Sequence, residues 1–172
     1  MSERPHLALV GLMGAGKTTV GEICARRHDR PFVDTDDLVE AMTGRTVTDL
    51  FARSEAEFRA REREAVADAC ASPQPIVIAC GGGAVLDRDS RRRLTQACRV
   101  VWLRGAPEVL AERVGQDGTD RPLLANAGPT ATLARLAEAR AVHYEAAADA
   151  VVETDGRTVD EVADAVIEAF ES

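Results

Sequence analysis

The stretch Gly11-Leu-Met-Gly-Ala-Gly16-Lys17-Thr18 satisfies G-x-x-x-x-G-K-[ST] in full, and it stands between an apolar run, HLALV at 6–10, and a segment of helical periodicity. No other feature restricts the fold so tightly. Strand, glycine loop and helix form the opening unit of an α/β fold, and the loop's spelling follows from its chemistry. Glycines let successive backbone N–H groups curl round phosphate oxygens, Lys17 is placed to reach the β and γ groups, and the Thr18 hydroxyl suits Mg²⁺. The helix that starts near Lys17 adds the positive end of its dipole. Gly14, Ala15, Gly16, Lys17, Thr18 and Thr19 are therefore the expected phosphate-binding residues, with Lys17 also catalytic. The loop specifies a nucleotide phosphate without specifying the reaction.

The same rhythm recurs along the chain. PFVDT, PIVIA, RVVWL and ADAVVET read as further short strands, separated by helical stretches with recognisable starts. Ser54-x-x-Glu57 and Thr158-x-x-Glu161 are capping boxes, and Val159, Val162, Ala163, Val166 and Phe170 make one apolar stripe on a final helix. Five short apolar strands alternating with helices predict a parallel sheet covered on both faces, a three-layer α/β P-loop fold. A length of 172 residues suits a single domain, 1–172. Two regions depart from the rhythm. Residues 36–70 place two or three helical segments between consecutive strands, and 115–128, GQDGTDRPLLANAG, is polar, glycine-rich and interrupted by Pro122. The first predicts an inserted acceptor-binding region at about 33–62, the second a lid at about 113–127.

Composition narrows the partners. With 21 Lys+Arg against 29 Asp+Glu the formal net charge is -8, which repels phosphate polymers and anionic membranes and leaves nucleic acid an unsuitable partner. The four cysteines and three histidines show no metal or redox spacing, so the thiols are expected reduced and mostly buried. No apolar run approaches the length of a membrane span and no leader-like run precedes Gly11, which predicts a soluble cytoplasmic protein. No long exposed apolar stripe is evident, which predicts a monomer. There is no N-K-x-D segment to read guanine, so ATP is the expected nucleotide.

The strand that leads into Cys80-Gly81-Gly82-Gly83 ends without the acidic residue that many P-loop ATPases use for their metal. Phe32-Val-Asp34-Thr-Asp36-Asp37 offers one instead. In an extended segment Asp34 and Asp36 share a face, so one suits Mg²⁺ and the other an acceptor hydroxyl. Capping of the following helix accounts for Asp36 or Asp37 but not for Asp34, which is expected to precede it. Gly81, Gly82 and Gly83 permit close approach of a ligand to bare N–H donors, or make a plain turn at a strand end. Arg121, before Pro122, is suited to clamp a transferring phosphate. By position alone, Arg59 and Arg140 read as solvated charges on helices.

Taken together these segments resemble shikimate kinase, over nearly the whole chain. The resemblance rests on GLMGAGKTT, on D-T-D at Asp34 to Asp36, F-R-x-x-E at Phe58 to Glu62, GGGAV at 81–85, RPLL at 121–124 and R-x-x-x-Y at Arg140 to Tyr144. It implies the fold of the nucleoside monophosphate kinase group, sheet order 2-3-1-4-5, with ATP and shikimate as substrates and Mg²⁺ as cofactor. It implies transfer of the γ-phosphoryl group to the 3-hydroxyl of shikimate, within aromatic amino acid biosynthesis. By the same resemblance Asp34 binds Mg²⁺ through water and Asp36 meets the acceptor hydroxyls, with a possible part as base. Arg59 and Arg140 hold the shikimate carboxylate, Gly82 donates from its backbone, Arg121 bridges lid and phosphates, and Arg113 stacks on adenine beside the turn at Thr154 to Arg157. In one place the chain departs from the family pattern: FARSEAEFR is one residue shorter before F-R-x-x-E. The rival readings are another small-metabolite kinase, such as a gluconate or nucleotide kinase, and a non-catalytic ATP-binding module.

Overall fold

The computed structural model describes residues 4–117 and 128–172. Its framework is one parallel five-stranded sheet with the order β2-β3-β1-β4-β5. The strands are β1 (His6–Val10), β2 (Phe32–Asp34), β3 (Val77–Ala79), β4 (Cys98–Arg104) and β5 (Ala150–Glu153). β1 is central, paired in parallel with β3 through Leu7 opposite Val77 and with β4 through Ala8 opposite Val100. Both of its faces are covered, which is why HLALV is buried at every position instead of alternating. His6 fits there because its Nδ1 accepts from the Ile76 N–H at 3.2 Å, and burial lowers its pKa and keeps the ring neutral.

The helices are α1 (Lys17–Arg27), α2 (Thr35–Thr43), α3 (Val47–Arg53), α4 (Glu55–Cys70), α5 (Arg88–Ala97), α6 (Pro107–Asp117), α7 (Pro129–Ala147) and α8 (Val159–Glu171). α1 packs on α8, where Arg27 pairs with Asp164 at 2.5 Å and Asp160 at 3.1 Å; α5 packs on α4 and α7. The main core joins the strands to these helices. A second, smaller core of Val39, Leu50, Phe58 and Ala65 lies under α2, α3 and α4. The two or three helical segments expected between β2 and β3 are three, with an apolar centre of their own bridged to the main core by Leu38.

Three local expectations change. α2 begins at Thr35, earlier than expected, and Asp34 is its N-cap, accepting from the Asp36 N–H at 2.9 Å. Capping thus does account for Asp34, and Asp36 shares no extended face with it, being already inside the helix. At Thr158 both halves of the capping box form, whereas at Ser54 only the hydroxyl bond to Glu57 N–H is seen among the described residues. The physical reason is that Ser54 ends α3 as well as starting α4: its own N–H is taken by the Leu50 carbonyl at 3.0 Å. Val159, expected on the core stripe of α8, is 43% exposed because it occupies the first turn, where it borders an open cleft. Among the described residues no helix is long and apolar enough to cross a membrane.

Candidate active site

β1, β2 and β3 all end at one edge of the sheet, and the segments leaving them border a cleft of about 720 Å³. This is where open α/β sheets place their ligands. On one side lies the loop from β1 to α1. Gly14 takes φ +82°, and a Cβ there would sit 2.7 Å from the Leu110 carbonyl of α6, so only glycine lets the loop pass under that helix. The Lys17 ammonium donates to the Gly11 and Leu12 carbonyls at 2.7 and 2.9 Å, spanning the mouth of the loop. The Thr18 hydroxyl donates to Asp34 Oδ2 at 2.8 Å. Burial, then the nearby charges of Asp34 and Glu40, raise the pKa of Asp37, the mark of a locally negative patch at the end of β2.

Arg113 of α6 donates to the Thr154 hydroxyl and carbonyl, both at 3.0 Å, and to the Gly14 carbonyl at 3.4 Å. It thus ties the phosphate loop to the turn after β5, where Arg157 and Val159 also face the cleft.

The opposite side is assembled from distant elements. Arg59 of α4 lies over the Phe58 ring at 5.2 Å and that of Phe51 at 6.0 Å, and donates to Glu62 Oε1 at 2.8 Å. A Cβ on Gly83 would overlap the Arg59 guanidinium, so the glycine is what admits it. Glu62 is only 3% exposed; burial pushes its carboxyl above the ordinary 4.5, while the charges of Arg59 and Arg140 pull it down. Gly81 sits between the carboxylates of Glu62 and Asp36, and its N–H donates to the buried Thr35 hydroxyl at 2.9 Å. Arg140 of α7, 4% exposed, reaches the same glycines with its guanidinium beside Gly82. The buried Cys80 thiol at the floor is pushed far up in pKa by desolvation, which leaves it protonated and unsuited to attack.

The structure therefore brings Gly14, Ala15, Gly16, Lys17, Thr18, Thr19, Asp34, Asp36, Arg59, Gly81, Gly82, Gly83, Arg113 and Arg140 to one cleft. Arg121 and most of the expected lid lie outside the described residues. Arg59 and Arg140 are not solvated helix charges: both point inward. Glu62 and Thr35 carried no expected role. The i,i+3 spacing of Arg59 and Glu62 was a usable signal, since it places opposite charges on one helix face. Nothing local to Thr35 announced its contact with Gly81.

Comparison with known proteins agrees with this geometry. The family described as shikimate kinase matches residues 13–171. A shikimate kinase of Symbiobacterium thermophilum is 47% identical over 96% of both chains. One of Thiobacillus denitrificans is 44% identical, over 92% of this chain and 86% of its own. Among solved structures, shikimate kinase from Acinetobacter baumannii in complex with shikimate superposes with a TM-score of 0.90 at 34% identity, covering 96% of this chain and 92% of the other. A gluconokinase from Sinorhizobium meliloti, at 20% identity, covers 97% of this chain and 92% of its own with a TM-score of 0.60, a likeness of fold alone.

Proposed function

The chain belongs to the shikimate kinase family, and from that premise we propose that its cleft transfers the γ-phosphoryl group of ATP to the 3-hydroxyl of shikimate, giving shikimate 3-phosphate and ADP. The observation that carries the reading is the convergence of Arg59, Arg140 and Asp36 on Gly81 to Gly83, facing the phosphate loop across one cleft. Two guanidinium forks suit a planar carboxylate, and a carboxylate suits hydroxyls; shikimate carries both groups on one small ring.

On this reading the backbone of residues 14–19 and Lys17 hold the triphosphate, and Arg113, Thr154 and Val159 border the nucleotide's other end. Asp36 accepts hydrogen bonds from the acceptor hydroxyls and is the group placed to take the transferred proton. Arg121, in the proposed lid, closes on the phosphates. Alignment and charge neutralisation are most of what phosphoryl transfer asks of a protein, and a lid keeps water from competing. Thr18 and Asp34 are hard oxygen donors in mutual contact at the mouth of the loop, so the residues present fit Mg²⁺, with Asp34 acting through water. Mg²⁺ held there would neutralise charge on the nucleotide phosphates.

The proposal extends to one kinase domain spanning 1–172, with acceptor region about 33–62 and lid about 113–127, acting as a cytoplasmic monomer in aromatic amino acid biosynthesis. The net charge of -8 supports the absence of nucleic-acid or membrane partners. A coupled ADP-release assay with ATP and Mg²⁺ tests the central claim against a panel of shikimate, quinate, gluconate and nucleoside monophosphates. Turnover should require shikimate; equal turnover without it, or preference for gluconate, would sink the assignment.

A further inference from the structure

Tyr144 is the chain's one tyrosine, 1% exposed, at a position where an apolar residue would satisfy the core. Its ring stacks on Trp102 of β4 with centroids 5.3 Å apart and planes 28° from parallel. Trp102 in turn borders Gly11, the first residue of the phosphate loop. The phenol's polar end is engaged. Its hydroxyl donates to the Gly82 carbonyl at 2.6 Å, and the Arg140 charge lies close by, one helical turn earlier on the same face of α7. Burial pushes its pKa up to about 12, so it keeps the proton it donates.

The consequence lies in what this bond holds. The Gly82 carbonyl belongs to the peptide that joins Gly82 to Gly83, and in a trans peptide the N–H lies opposite the carbonyl. Fixing the carbonyl fixes the plane of that peptide, which glycines on both sides would leave free to rotate. The Arg140 guanidinium lies beside the same residue. The geometry points to Tyr144 as a positioning residue that sets the Gly82–Gly83 peptide beside the Arg140 guanidinium as one carboxylate-binding unit. This rests on the reading of the cleft as a shikimate site. Trp102 gives the unit a fixed backing that also touches the phosphate loop, so the carboxylate subsite and the phosphate cradle share one reference surface.

Tyr144→Phe tests it, because the stack and the core volume remain and only the hydroxyl and its hydrogen bond go. The KM for shikimate should rise roughly fivefold, the factor expected for one neutral hydrogen bond, with kcat changing less and the KM for ATP within about twofold of wild type. Leu133→Val, on the same helix and buried away from the cleft, controls for lost stability and should move neither KM. Parallel loss in both KM values, or a shikimate KM within twofold of wild type, would overturn the positioning role. Wild type inactive towards shikimate would instead overturn the functional reading. A second measurement does not depend on the variant folding: protein labelled with 3-fluorotyrosine gives a single ¹⁹F resonance, from position 144. Saturating shikimate should shift it, and an unmoved resonance would end the proposal.

Discussion

The two walls of the cleft are built by different means. The wall proposed for phosphate comes from one continuous stretch, Met13 to Val20. The wall proposed for the acceptor comes from α2, α3, α4 and α7, together with the glycines after β3. It also has its own small core under α2, α3 and α4. Phosphate is common to all nucleotides, so a contiguous loop can be reused unchanged. An acceptor is particular, so its wall depends on how the rest of the chain folds.

If the walls do separate in this way, substitutions should divide cleanly between them. Lys17→Met should have the largest effect, a loss in kcat of about a thousandfold or more with unchanged circular dichroism, since charge at the transferring phosphate is removed. Retained activity would break the assignment of this wall to phosphate. Gly83→Ala should raise the KM for shikimate by roughly tenfold and leave that for ATP alone, because the new Cβ displaces the Arg59 guanidinium. Gly83 has φ -98°, which any residue adopts, so the variant should lose little thermal stability. An equal rise in both KM values would mean that the walls are not independent.

The smallest effect belongs to Glu62. Folding raises its pKa above 4.5, so the native state holds the proton more tightly than the unfolded chain does. Its contribution to stability is then fully present below 4.5 and lost as pH rises through the folded value. Glutamine stays neutral, so the Tm of wild type minus that of Glu62→Gln should fall as pH climbs from 4.5. A difference that stays flat would show that the Arg59 pair offsets the cost of burial.

Much of this architecture was legible in local patterns. The five strands, the three helices between β2 and β3, and the phosphate loop each announce themselves within a few residues. The start of α2 was not legible, because aspartates cap helices at any of several adjacent positions and only the backbone decides among them. Val159 misled for a related reason: a 3.6-residue stripe says which face is apolar, not whether its first turn covers core or borders a cleft.

The acceptor arginines show the limit most clearly. Taken singly, Arg59 and Arg140 were ordinary helix charges, and only family resemblance reversed that reading. Sequence by itself determined the phosphate loop, the parallel α/β framework and, through an ordered set of motifs, the family. Tertiary structure alone decided that Arg59, Glu62, Asp36, Arg140 and Tyr144 meet around Gly81 to Gly83. The reason is physical: the loop's chemistry resides in consecutive backbone groups, whereas charge pairing and burial depend on elements that come together only when the sheet is complete.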